Sequence, residues 1–113
     1  MDVTPEHFEE LVSTALDGVP PELSALMDNV VVMVEDGRRP DLMGLYEGVP
    51  LTERDESYGL MAMPDRITIF RRAILAACRT ETEVVAEVRT TVIHEVGHHF
   101  GIDDGRLHEL GWG

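Results

Sequence analysis

The chain has 113 residues, 43% of them hydrophobic, which predicts one domain over 1–113 with a single modest core. Twenty-two acidic residues against nine basic ones give a net charge of −13 at pH 7, so repulsion disfavours a nucleic-acid or anionic-membrane surface. No apolar run approaches the ~20 residues of a membrane-spanning helix, the acidic start lacks the features of a signal peptide, and the single cysteine, Cys78, allows no internal disulfide. The expectation is a cytoplasmic protein.

Thr4-Pro5-Glu6 reads as an N-cap, a proline at the first helical position and an acid in the first turn. Phe8, Leu11, Val12, Ala15 and Leu16 follow at helical spacing, so a first helix should cover about 5–17, and Gly18 should stop it. Pro21-Glu22-Leu23 predicts a short extra turn. Asn29 to Val34 is a β-branched run, expected to be a strand covered on both faces. Leu42–Tyr46 predicts a second strand and 48–59 a polar surface loop. Arg66–Phe70 alternates after Pro64 and predicts a third strand, with a short helix over Arg71–Cys78. Thr80 and Glu83 form a capping-box pattern that should open a long helix over 81–100, with Gly101 as its breaker. Leu107–Leu110 suggests a last helical turn. Helix, strands and then helices predict an α+β domain: a small mixed sheet packed on one long helix.

That helix carries His94-Glu95-Val96-Gly97-His98. Histidines at i and i+4 lie one turn apart on one face, close enough to hold one metal ion. Glu95 is rotated ~100° from His94, so its carboxylate is placed to reach a metal-bound water rather than the metal. Gly101 permits the left-handed turn that reverses the chain, and Asp104 then comes at the spacing of a third ligand. Two imidazoles, a carboxylate and water would make the open tetrahedral site of a zinc hydrolase. On the helical wheel Glu87 and Thr91 line up behind the histidines and are candidates for orienting their rings. Val85, Val88, Val92 and Val96 form the opposite, aliphatic stripe.

The extended pattern His94-Glu95-x-x-His98-x-x-Gly101-x-x-Asp104 resembles that of zincin metallopeptidases, in the elongated metzincin form with Asp in place of the third His. Size and layout resemble the small bacterial minimal zincins, zinc proteases stripped to a catalytic core. The resemblance implies a compact zincin-like fold, one Zn²⁺ on His94, His98 and Asp104, and Glu95 as general base. It also implies a peptide or protein substrate paired with a strand at the sheet edge, and leaves room for a protein partner. No methionine follows Asp104, so the site floor differs from that of a typical metzincin; Met61 and Met63 lie upstream and are expected in the core. Two other readings are a zinc-binding interaction module with latent or no protease activity, and a metal-dependent amidase acting on a non-peptide substrate.

The rivals of Asp104 are Asp103, otherwise a C-cap or solvated acid, and His108, otherwise an exposed helix residue. His99 faces the aliphatic side and is expected to be packed or half-buried, and His7 is expected at the surface. Cys78 reads as a buried thiol. Tyr46 and Tyr58 are candidates to place a phenol near a developing oxyanion, with plain packing the rival reading. The acids that dominate residues 1–60 read as solvated surface rather than as an attractor of cationic substrate.

Overall fold

The computed structural model describes residues 1–48 and 64–111. Its elements in chain order are α1 (Pro5–Asp17), α2 (Pro21–Leu26), β1 (Val30–Glu35), β2 (Gly44–Glu47), β3 (Asp65–Phe70), α3 (Arg71–Ala77), α4 (Glu81–His99) and α5 (Asp104–Glu109). The fold is α+β, as the order of elements predicts.

The two main helices start where their capping residues stand. Thr4 accepts from the N–H of His7, and Pro5 opens α1 without losing a hydrogen bond. Thr80 accepts from the N–H of Glu83 at 3.1 Å. The return bond of this box goes one residue further back than the simple pattern, from the N–H of Arg79 to Glu83 Oε1 at 2.8 Å.

The sheet has the order β1-β3-β2, with β1 parallel and β2 antiparallel to β3. Its register puts Val32, Ile67 and Tyr46 in one row and Val34, Ile69 and Gly44 in the next, all on the face toward the helices. Against that face pack Phe8, Leu11, Val12 and Ala15 of α1 and the buried stripe of α4, with Leu23, Ile74 and Leu107 closing the core.

Three sequence expectations are corrected here. The valine run is not covered on both faces: among the described residues β1 stands at an edge of the sheet, and Val31 and Met33 are 43% and 40% exposed on its outer face. The central strand is β3, where Ile67, Thr68 and Ile69 are all buried. On α4 the buried arc is wider than the predicted stripe. It takes in Val84 and Ile93, while Val85 is only partly covered, because helices as well as the sheet close on it. The second strand begins at Gly44 rather than Leu42, and most of the predicted 48–59 loop, with Tyr58, Met61 and Met63, lies outside the described residues.

Candidate active site

The last turn of α4 is finished by a Schellman motif. Gly101 has φ +79°, the N–H of Ile102 donates to Gly97 O at 2.7 Å, and the N–H of Gly101 donates to His98 O at 3.1 Å. The chain reverses there and begins α5 at once. Asp103 caps α5 by accepting from the N–H of Arg106 at 2.8 Å, so it is an N-cap and neither a C-cap nor a free acid. Leu107, fully buried, seats α5 on α4 against Gly97.

This turn brings Asp104 to the histidines. Nε2 of His98 donates to Asp104 Oδ1 at 2.8 Å, and Nε2 of His94 lies 4.0 Å from the same oxygen. The two imidazole rings are 6.1 Å apart and nearly parallel, 16° between planes. Among the described residues no three His, Cys, Asp or Glu side chains stand ready-formed around a metal position, and these distances say why. Two ligands ~2.0–2.1 Å from a tetrahedral zinc stand ~3.3 Å apart. Asp104 would have to leave His98 by about half an ångström and approach His94 by somewhat more. The His98 proton it now accepts is the one a metal would displace. The Asp104 side chain is 67% exposed, so nothing packed opposes that movement. Two imidazoles and a carboxylate suit zinc, and the donor set fits it.

Glu95 faces β2. The bond from Phe70 N–H to Met43 O fixes the antiparallel alternation, so the backbone groups of Gly44 and Tyr46 point away from β3. The outward N–H of Tyr46 donates to Glu95 Oε1 at 3.0 Å. Strand and helix run side by side in the same direction. Gly44 meets Thr91, Tyr46 meets Glu95 and Gly48 meets His99, two strand residues for every four helix residues. Gly44 is required for this approach, since a Cβ there would lie 2.5 Å from Thr91 Cγ2.

His99 is not packed into the aliphatic side as expected: it is exposed, and its ring lies against the strand. Its ring stacks on Tyr46 with centroids 3.9 Å apart, and its Nε2 lies 3.7 Å from Asp65 Oδ2. The Tyr46 hydroxyl donates to that Asp65 oxygen at 2.8 Å. An open cleft of about 330 Å³ leads away from His94 and Glu95 between the chain before β2 and the upstream turns of α4, lined by Asp41, Met43, Gly44, Glu87 and Thr91. Asp41 stays ionised there, its carboxyl held below the usual range by the Arg39 guanidinium.

The remaining candidates fall elsewhere. The Thr91 hydroxyl donates to the Glu87 carbonyl, one turn back, at 2.8 Å, and His108 is exposed on α5. His7 is at the surface, hydrogen-bonded to Glu81 at 2.8 Å. Cys78 is buried, and burial pushes its thiol up. Sequence reasoning missed the Tyr46 N–H and Asp65. A backbone amide carries no residue-type signal, and Asp65 gains meaning only once β3 is set beside β2.

These residues lie within a recognisable family. The model of the zincin-like metallopeptidases matches residues 27–112, and the chain belongs to that family. Membership gives a metal-dependent peptidase kind of function, with zinc as the kind of metal. Among solved structures, a conserved hypothetical protein from Thermus thermophilus is similar, with 26% identity and a TM-score of 0.54 over 86% of this chain and 94% of that one. No curated protein matches the chain. No helix among the described residues is long and apolar enough to cross a membrane.

Proposed function

We propose that the chain hydrolyses peptide bonds at one zinc ion held by His94, His98 and Asp104, with Glu95 as general base. The observation that carries this reading is the convergence of His94 and His98 on a single oxygen of Asp104, at 4.0 and 2.8 Å, in a chain of this family. A zinc ion there would lower the pKa of its water toward ~7 and polarise the scissile carbonyl. Glu95 takes the proton of the attacking water and passes it to the leaving amine. The substrate lies extended beside β2 and pairs with the outward backbone groups of Gly44, the Tyr46 N–H being held by Glu95. Of the two sheet edges, β2 is the one that runs beside the histidine helix, which favours it over β1. The cleft past Glu87 takes the neighbouring substrate side chains.

The test is metal analysis of the purified protein followed by cleavage of a peptide library, wild type against Glu95→Gln. Stoichiometric zinc with cleavage only by the wild type supports the reading. Zinc-loaded wild type that cleaves nothing overturns it in favour of a zinc-binding interaction module.

A further inference from the structure

We infer that Tyr46 and His99 are positioning residues for Glu95: together they hold the edge strand whose backbone N–H fixes the carboxylate of the base. The inference rests on the reading of Glu95 given above and adds what orients it. A glutamate has three rotatable side-chain bonds and no reason of its own to present one oxygen to a particular point. Here one oxygen, Oε1, is taken by the Tyr46 N–H at 3.0 Å, which restricts how the carboxylate can turn. That N–H can serve only while β2 keeps its distance and register beside α4.

The same residue secures both. The backbone of Tyr46 holds Glu95, and its ring stacks on His99, one helical turn further on, 3.9 Å away and 16° from parallel. Its hydroxyl donates to Asp65 at 2.8 Å, on the central strand. Tyr46 therefore ties β2 to α4 and β3 at once. Gly48 leaves the space His99 occupies, since a Cβ there would come 3.1 Å from His99 Cε1. His99 follows directly after His98 in the chain, yet it turns toward the strand and acts on the base.

The readout is the Tyr46 amide, followed by NMR chemical shift and hydrogen exchange in the metal-free protein. An outward amide on an edge strand exchanges fast unless something accepts it, so wild type should show it protected and Glu95→Ala should speed its exchange roughly tenfold, the population change that goes with one lost hydrogen bond. His99→Ala should do the same with Glu95 intact, and His99→Phe, which restores the stack, should restore protection. The amides of Thr68 and Ile69 in β3 should not change. Should His99→Ala fail to fold, Tyr46→Phe carries the test: it keeps the ring for the stack, loses the bond to Asp65, and should give a smaller increase at the same amide. An unprotected Tyr46 amide in wild type, or unchanged protection in His99→Ala, overturns the inference. A rise at Tyr46, Thr68 and Ile69 together overturns it too, as a merely structural role. If the Tyr46 amide behaves as expected while Glu95→Gln still cleaves peptide at the wild-type rate, the role of Glu95 as base fails and the contact stands.

Discussion

Gly97 and Leu107 meet so closely that a Cβ on Gly97 would lie 2.9 Å from Leu107 Cδ1 and 3.0 Å from Cδ2. Leu107 is fully buried and belongs to the same short helix that begins with Asp104. The glycine between the two histidines therefore sets how near the carboxylate can come. Gly97→Val should push α5 outward, costing ~1–3 kcal/mol by overpacking and weakening zinc by more than the loss of stability explains. Thermal melting and zinc titration of the same variant separate the two effects.

The pair His94→Ala/His98→Ala should remove bound zinc, since Asp104 alone would remain of the proposed three. Metal analysis after gel filtration reads this directly, and a full equivalent of zinc retained would put the site elsewhere.

Asp104→Ala should weaken zinc strongly while leaving α5 in place, because Asp103 supplies the cap. Asp103→Ala should show the reverse: a loss of about 1 kcal/mol from the missing cap with zinc affinity nearly kept. His108→Ala, on the exposed side of α5, should change neither. Silence from Asp104→Ala with damage from His108→Ala would overturn this ligand set.

Glu95→Gln keeps an oxygen for the Tyr46 N–H and leaves the other three side chains untouched, so zinc content and melting temperature should hardly move. Turnover of any peptide cleaved by the wild type should fall by ~10²–10⁴-fold, the usual cost of losing a general base. Equal cleavage by both forms would remove Glu95 from the chemistry.

His7 joins the start of α1 to the start of α4. Its pKa is raised above the ordinary 6.5, first by the hydrogen bond to Glu81 and then by that to Glu10. A raised pKa means the folded state favours the charged imidazole, so this contribution is complete below pH 6.5 and is lost as pH rises through the folded value above it. The melting-temperature gap between wild type and His7→Ala should be widest in mildly acidic buffer and close in alkaline buffer. The gap should be small, since the pair is solvated, but a gap that grew with pH would contradict the assignment.

Local signals in the chain account for much of this architecture. Thr4-Pro5 and Thr80-x-x-Glu83 place the starts of α1 and α4 to the residue, and Gly101 marks the turn after the second histidine, because capping is settled within a few residues. The strands show the limit. Val30–Val34 reads as interior and is an edge, while Arg66–Phe70 alternates like a half-covered strand and is central. Which strand gains two neighbours depends on a pairing across residues 36–64, invisible to a local pattern. The candidate site divides in the same way: His94, Glu95, His98 and Asp104 are legible from spacing, whereas Tyr46 and Asp65 reach them only through the sheet.

The side-by-side run of β2 and α4 works like a vernier. Two strand residues advance ~6.7 Å and four helix residues ~6.0 Å, so the marks coincide at Tyr46 and Glu95 and drift by well under an ångström at each neighbouring mark. Gly44 and Gly48 stand at those neighbouring marks, where the absence of a side chain absorbs the drift. Inserting one residue in β2 would rotate every side chain to the opposite face, and inserting one in α4 would swing Glu95 by ~100°, so at this place the lengths of the two elements are as constrained as the identities of the histidines.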